Sequence, residues 1–542
     1  MRHMAFTKDE GIAVIAERAA TRLPDGVVNF GTPSSVLAMT DPVVSYAQLA
    51  GLVEQAAGWA VAAGIGRGDR VVISKPNHPD IFVLAAGVSR AGGVPVLLSN
   101  KMAPEHARVV IGRVQPSLMF IDRATAMTWA LETDRSCRLV LLDGSLPEAV
   151  HLDELRGGPA PLCQNPAFTD VMIITHTSGT TGVPKLVAHS AFTISDRAKV
   201  ATLPVPIASI RRRDRYAASI AWNHARAMDG MICWLHVGCP LLAISDPTPS
   251  AVAPLLAGFR PTIVEAIANQ YLLWEGLAKE RPELFAQTRV FANAFDAIHP
   301  RSVRTMLATS ERAVPMWFQA YGQSEVGCAS LDIYTRRTVR KRSDRPVALR
   351  SMGWAPMGLV KVRITDRTTG ATLPARQVGE IEVRSNSIAL DYVGQEDLNR
   401  RQRHDGWWRT GDVGFKDRSG RIILNDRVVD VVAGVASCLE AEDALLDTLP
   451  QASEIAIVNV GGKAVPVVCT QDDLPLLAEE WQRATRGLDA DLASPVYLPW
   501  DDVPRTSTFK VRRLALAQMI ADRQSAPVLV AASGDTLSAA GS

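Results

Sequence analysis

The chain has 542 residues, of which 47% are hydrophobic, enough for a large buried core and for more than one domain. Its 58 Lys and Arg against 56 Asp and Glu leave a net charge of only +2, so no bulk field argues for nucleic acid or an acidic membrane surface, and partners have to be inferred from sites. Seven cysteines (Cys137, Cys163, Cys233, Cys239, Cys328, Cys438, Cys469), odd in number and without a C-x-x-C pair or clustered histidines, argue against a disulfide framework and a zinc site and fit a reducing cytoplasm.

The first residues, "MRHMAFTKDEG", lack a hydrophobic signal core, and no apolar run reaches about 18 residues, so neither secretion nor membrane spanning is expected. "SYAQLAGLVEQAAGWAV" puts Leu49, Leu52, Val53, Ala56, Ala57 and Ala60 on one helical stripe, with Ser45 and Gln48 as a capping box. "GDRVVIS" reads as a strand. "DIFVLAAGVSRAGG" and "PVLLS", then "PEHARVVIGRV" and "SLMFID", repeat the helix-then-strand order of βαβ units and parallel sheets. From about Gly353 to Leu424 the texture changes to short alternating segments, "VKVRITD" and "GEIEVRS", separated by turns, which predicts an antiparallel barrel or ribbon. After Arg427 a smaller α/β pattern begins, and the tail from about Ser533 has a disordered composition. The expected layout is an α/β core over residues 1–426, with a β-barrel-like part at about 351–426, a small C-terminal domain over 427–532 and a tail over 533–542.

Between these elements lies "HTSGTTGVPKLVAHS", residues 176–190, directly after the apolar "VMIIT". A glycine- and hydroxyl-rich turn after a buried strand exposes backbone N–H groups and hydroxyls that wrap phosphate oxygens, and a lysine adds a mobile positive charge. This is not a G-x-x-x-x-G-K-[ST] loop, because Lys185 follows "GVP" and no Ser or Thr comes after it. Taken alone, it could also be an ordinary polar connection.

Four further segments accompany it: "YGQSE" (321–325), "SMGWAPMG" (351–358), "GWWRTGD" (406–412) and "PRTSTFKVRR" (504–513). Together with "TSGTTGVPK" they resemble, in order and separation, the motif series of the adenylate-forming superfamily of acyl-CoA and aryl-CoA ligases, peptide-synthetase adenylation domains and luciferases. The resemblance covers roughly residues 40–515. It implies parallel sheets flanked by helices, a small β-barrel, and a small mobile α+β C-terminal domain. It also implies an ATP-dependent, pyrophosphate-releasing ligase. By that resemblance the loop Thr177, Ser178, Gly179, Thr180, Thr181, Gly182 with Lys185 would hold the outgoing phosphates, and Glu325 would hold Mg2+. Tyr321 and Gly322 would lie against the adenine, Ser324 would bond the α-phosphate, and Asp412 and Arg427 would take the ribose. Lys510 would reach in from the small domain to stabilise charge as an acid oxygen attacks the α-phosphorus. Each of these, met singly, also has an ordinary structural reading, a turn aspartate or a surface carboxylate.

The chain departs from the family pattern where the acceptor enters. Val429 stands where relatives carry the Lys or Asp hinge, and "AGVASCLEAED" (433–443) replaces a glycine-rich stretch facing the CoA tunnel. "NAFDAIHP" (293–300) replaces the usual "GGAPL" beside the adenine. In "AWNHARAMDG" (221–230), His224 is the candidate for contacting substrate, with a buried structural histidine as the equal alternative, and Trp222 with Trp354 are candidates to frame a flat ring. His176 receives no role. The basic run Arg336, Arg337, Arg340, Lys341, Arg342, Arg345 and Arg350 suits a CoA phosphate or a carrier protein, but reads first as a solvated hairpin face.

The resemblance thus implies an ATP- and Mg2+-dependent cytoplasmic ligase that makes an AMP ester of a small acid, aromatic if the tryptophans frame a ring, and passes it to a nucleophile, CoA by default. Two alternatives stand beside it. One is a secondary-metabolism enzyme with another acceptor, an amide synthetase or a diazotase that adenylates nitrite for an aryl amine. The other is an inactive nucleotide-binding homologue, against which the joint presence of Lys185, Glu325, Asp412, Arg427 and Lys510 argues.

Overall fold

The computed structural model describes residues 11–131, 137–164, 166–177, 182–201, 209–294, 298–340, 349–427, 431–506 and 510–525. Four expected site residues, Ser178, Gly179, Thr180 and Thr181, lie outside these, as do Val429, Lys341, Arg342, Arg345 and the 533–542 tail.

Two eight-stranded mixed sheets carry most of the chain. In the first, the strands run in the order Asp391–Tyr392, Leu186–Ser190, Val171–His176, Val94–Leu97, Arg70–Ser74, Leu118–Ile121, Arg138–Leu141, Val150–His151. All neighbours from Val171–His176 onward are parallel, as the helix-then-strand order requires. In the second the order is Gly327–Thr335, Met316–Gln323, Val290–Ala294, Ile263–Ile267, Tyr216–Ser219, Leu241–Ile244, Val27–Asn29, Val43–Ser45, parallel except at its two edges. The helix Tyr46–Ala62 starts with the expected capping box, Ser45 and Gln48 each bonding the other's backbone.

The main core joins residues of both sheets to the helices Tyr46–Ala62, Asp80–Arg90 and Ala225–Val237. Asp80–Arg90 is buried along its whole length, which explains why its sequence is apolar on every face. It meets Tyr46–Ala62 so closely that a Cβ on Gly87 would lie 2.5 Å from the Ala56 methyl, so glycine sets the helix spacing there. Both sheets direct the carboxyl ends of their parallel strands toward functional loops: Val171–His176 leads into the 177–185 loop, Tyr216–Ser219 toward His224, and Met316–Gln323 into Ser324 and Glu325.

The region expected to be barrel-like is antiparallel. Its strands run Ser351–Gly353, Ile422–Arg427, Trp407–Lys416, Gly379–Ser385, Val360–Thr365, with Arg403–His404 pairing at the side. Among the described residues its two end strands do not pair with each other, so the ladder is open. Beyond it, Ala452–Val460, Lys463–Thr470 and Val496–Tyr497 form a separate three-stranded sheet, packed on by helices Cys438–Thr448 and Arg513–Ser525. No helix among the described residues is long and apolar enough to cross a membrane.

Candidate active site

The stem of the 177–185 loop is closed by two hydrogen bonds: Thr177 N–H donates to Lys185 O (2.9 Å) and Lys185 N–H to Thr177 Oγ1 (3.3 Å). Gly182 has φ +140, a conformation side-chain-bearing residues rarely adopt. The Lys185 ammonium stands 5.1 Å from the centre of the Tyr392 ring. Tyr392 in turn donates its hydroxyl to Glu325 Oε1 at 2.6 Å. The short strand Asp391–Tyr392 pairs with Leu186–Ser190, and Ala389 N–H donates to Glu325 O at 2.7 Å. Lysine, tyrosine and glutamate are thus brought to one place by three chain segments. Tyr392, in "DYVG", was not singled out by the sequence, because a lone tyrosine between a strand and a helix carries no motif.

On the nucleotide side, Tyr321 donates its hydroxyl to Asp412 Oδ2 at 2.7 Å, and Gln323 Nε2 donates to the same oxygen at 3.1 Å and to Thr410 O at 2.6 Å. Asp412 lies opposite Arg427 in the antiparallel ladder. Gly322 sits at a register shift where a Cβ would come 1.9 Å from Gly327 O, so the "YG" pair depends on glycine for the turn that delivers Ser324 and Glu325.

His224 caps the helix Ala225–Val237: its Nδ1 accepts from Arg226 N–H at 3.1 Å, which puts the ring proton on Nε2, facing Ser324 Oγ at 3.1 Å. Burial, then the charges of His176, Lys510, Arg197 and Arg226, push the His224 pKa down to about 3, so the ring is neutral. Lys510 is thus one of the charges that bear on His224, although its segment lies far along the chain, after the three-stranded sheet. Lys510 is bonded to Thr506: Thr506 N–H donates to Lys510 O (2.8 Å) and Lys510 N–H to Thr506 Oγ1 (3.1 Å). His176, which received no role, is buried, bonds Leu97 O at 3.0 Å through Nδ1, and is pushed down to about 4 by burial.

The two tryptophans do not frame one opening. Trp222 is fully buried, its ring centroid 6.4 Å from that of Trp234, while Trp354 is 45% exposed on the antiparallel sheet, bonded to Ser419 O and covered by Arg421. Within the basic run, Arg336 donates to the carbonyls of Leu307, Ser310 and Arg312, and Arg350 pairs with Glu440 at 2.6 Å, so these two are engaged inside the protein.

Beneath the site lies a charge cluster the motifs do not mention. Arg226 forks onto Glu265, with Nε to Oε1 and Nη2 to Oε2 both 2.8 Å, and Tyr216 donates to Oε2 at 2.6 Å. Arg197, buried, donates to Ser324 O (2.8 Å) and Ser387 O (3.1 Å) and stands 3.9 Å from Asp229 Oδ2. The i, i+3 spacing of Arg226 and Asp229 is the only sequence signal that could have tied them to one helical face.

The stretch 433–443 is pinned. Asp491 N–H donates to Gly434 O (2.8 Å) and Ala436 N–H to Asp489 O (3.3 Å). A Cβ on Gly434, at φ +79, would lie 3.3 Å from Asp491 Cβ.

A lysine at the stem of the 177–185 loop, a buried glutamate joined to it through Tyr392, and a Tyr–Asp pair are thus gathered at the ends of the strands. A family profile for AMP-binding enzymes matches residues 17–393. The chain is 36% identical over 504 residues to the 3-amino-2-hydroxy-4-methoxybenzoate diazotase of Streptomyces cremeus, covering 87% of this chain and 89% of that protein. It is 26% identical to the 3-aminoavenalumate diazotase of a Streptomyces species, over 78% of this chain and 75% of that one. ATP-bound MatB from Rhodopseudomonas palustris shares the fold, with a TM-score of 0.77 at 20% identity and coverage of 94% and 99%. The chain belongs to the AMP-binding, adenylate-forming enzyme family and is an ATP-dependent, AMP-forming ligase.

Proposed function

We propose that this ligase is a diazotase: it joins nitrite to AMP with release of pyrophosphate and passes the nitrosyl group to an aryl amine. The observation that carries this is the 36% identity to a named diazotase over nearly the full length of both chains, with a second diazotase among the relatives. The pinned 433–443 stretch, which replaces a glycine-rich tunnel loop, agrees with an acceptor other than CoA.

In the first step a nitrite oxygen attacks the α-phosphorus, the bond to the β-phosphate oxygen breaks, and pyrophosphate leaves with the electron pair. Lys185 and the 177–182 loop receive the leaving phosphates. Ser324 bonds the α-phosphate, its hydroxyl oriented by the neutral His224 ring 3.1 Å away. Tyr321 packs on the adenine, while Asp412, already fixed by Tyr321 and Gln323, accepts from the ribose hydroxyls, with Arg427 beside it in the ladder. Lys510 neutralises the charge that develops between nitrite and the α-phosphate. A magnesium ion fits Glu325, a buried carboxylate held by Tyr392, because Mg2+ takes one or two protein carboxylates and completes its shell with phosphates and water. Its chemistry there is to neutralise phosphate charge. Residues 427–532 act as a lid that brings Lys510 in.

The test is to supply ATP, Mg2+, nitrite and a panel of aminobenzoates and aminocinnamates, with and without CoA, and to identify products by mass and by azo coupling. A diazonium product that needs ATP and nitrite together supports the reading. CoA thioester formation from an added acid, with no diazonium from any amine, overturns it.

A further inference from the structure

Two buried carboxylates sit under the adenylation site, and they differ in one respect. Glu265 is saturated: both oxygens are held by the Arg226 fork, and one also by Tyr216. Asp229, one helical turn beyond Arg226, is 8% exposed, and its Oδ1 has no hydrogen-bond partner among the described residues. Its other oxygen looks toward Arg197 at 3.9 Å, too long for a hydrogen bond, and Arg197 cannot move closer without leaving the carbonyls of Ser324 and Ser387. A buried carboxylate oxygen left open carries a large desolvation cost, so such a group marks a place where a donor arrives from outside the protein. The burial that lifts the Asp229 pKa to about 6, against the pull of Arg197 and Arg226, agrees with a group able to take a proton near neutral pH.

The surroundings say what kind of donor. Arg197 stands between Asp229, 3.9 Å away, and the Ser324 carbonyl to which it donates, so Asp229 lies one side chain away from the Ser324 backbone. Gly230 follows it, and a Cβ there would lie 2.6 Å from the Trp234 indole, so glycine lets that ring fold back against the helix beside Asp229. Trp222 stands next to Trp234, and neither indole Nε1 has a partner. A buried carboxylate with an open oxygen, tied through Arg197 to the segment that carries Ser324, suits an N–H donor.

We infer that Asp229 is the residue that receives the amino group of the aryl amine and takes its proton as the N–N bond forms. The inference rests on the diazotase reading. In the step, the amine lone pair attacks the nitrosyl nitrogen of the nitrite–AMP ester and the N–O bond to the phosphate breaks. AMP leaves with that electron pair, and an amine proton passes to Asp229 Oδ1. The product is an N-nitrosamine, which isomerises to the diazohydroxide and loses hydroxide to give the diazonium ion. No oxidant or reductant is needed, since nitrite supplies nitrogen already at the required level.

The experiment compares wild type and Asp229→Asn for diazonium formed per pyrophosphate released, with nitrite, ATP and a saturating aminobenzoate. The ratio cancels any change in the first step. We expect it to fall about 100-fold, with KM for the amine raised as well. An unchanged ratio and KM in a variant whose thermal midpoint matches wild type overturns the assignment. If Asp229→Asn does not fold, Asp229→Ser makes the same comparison. Independently of any variant, wild type must bind the aminobenzoate about tenfold tighter than the same acid without its amino group, and equal affinities overturn the assignment. Failure of the diazotase reading looks different: wild type itself then gives no diazonium with any amine.

Discussion

Under the site, charges are fixed by elements of one continuous body. Arg226 and Glu265 join a helix to a strand of the second sheet, and Arg197 ties a helix to the backbone after Met316–Gln323. At the seam with the C-terminal sheet, charges meet across separate elements: His299 with Asp443 at 2.8 Å, Arg304 with Asp447, Arg301 with the carbonyl of Ala452 at 2.9 Å, and Arg350 with Glu440. The first cluster is closed by neighbours that cannot separate without unfolding. The second holds a helix, Cys438–Thr448, whose own core lies with the small sheet, so parting it from Pro300–Thr309 would leave that core whole. The difference teaches that shape and timing are assigned to different parts of the molecule, and substitutions in each should be told apart by what they change.

The largest effect is expected for Lys510→Ala, which removes the lysine whose charge bears on His224. Adenylate formation should drop about 100- to 1,000-fold, with ATP affinity changed little, as measured by pyrophosphate release and by nucleotide titration. Adenylation at the wild-type rate would mean that the docked lysine has no part in the chemistry.

Next comes a stability effect confined to the pocket floor. Glu265→Ala strips Arg226 of its fork and Tyr216 of its acceptor, and should cost about 3 kcal/mol in urea unfolding. Replacing both ions together, Arg226→Met with Glu265→Leu, should cost less than the single change, because no unpaired charge is left. A double variant weaker than the single one would show that the fork is needed for more than its own neutralisation.

The contrast also runs through what could be read from the sequence. On the nucleotide side the sequence named Thr177, Lys185, Tyr321, Gly322, Ser324, Glu325, Asp412 and Lys510 because they sit in motifs, and of these the structure pairs Tyr321 with Asp412 and brings Lys185 and Glu325 to either side of Tyr392. The βαβ texture and the Ser45–Gln48 cap were legible for the same local reason. The Glu325–Tyr392 contact spans 67 residues and the Ser324–His224 contact 100, and neither leaves a periodic trace. Trp222 and Trp354 looked alike as letters, yet one is core and the other surface, since exposure is set by tertiary packing. The open oxygen of Asp229 carries no signal in the sequence, because it is a property of its neighbours.

A third prediction uses protons to separate the two regions. In the pocket, burial holds His176 at about 4 and His224 at about 3, and it also lowers His189, all below the ordinary 6.5. A histidine depressed on folding contributes stability above 6.5 that is lost as pH falls through the window toward the folded value. Between pH 6.5 and about 4, global stability should therefore fall by about 1.4 kcal/mol per pH unit for each such ring. Asp229, raised to about 6, offsets part of this, since its contribution grows as pH falls from 6 toward 3.8. His176→Gln should flatten the slope by one proton, and an unchanged slope in urea titrations would place the acid sensitivity elsewhere.

The smallest effect belongs to the seam and has the opposite sign. Burial works against the charge on His299, but the hydrogen bond and charge of Asp443 outweigh it and raise its pKa, and burial also lifts the Asp443 carboxyl. Asp426, whose carboxylate accepts from Cys438 N–H (3.1 Å) and Leu439 N–H (3.3 Å) at the start of the same helix, is lifted by burial to about 7. Groups raised on folding give stability that is complete below their unfolded values and is lost as pH rises through the folded ones, here from 6.5 upward for the histidine and up to about 7 for Asp426. Moving from pH 6 to pH 8 should thus loosen the Cys438–Thr448 helix from Pro300–Thr309 by about 1 kcal/mol, while the pocket helix Ala225–Val237 keeps its protection. Amide hydrogen exchange, corrected for the intrinsic pH dependence, reads both helices in one experiment, and added salt should act in the same direction on the seam alone. Equal protection of Cys438–Thr448 at both pH values, or loss of protection in both helices together, would show that seam and pocket form one cooperative unit and that Lys510 does not leave and re-enter independently of the floor beneath it.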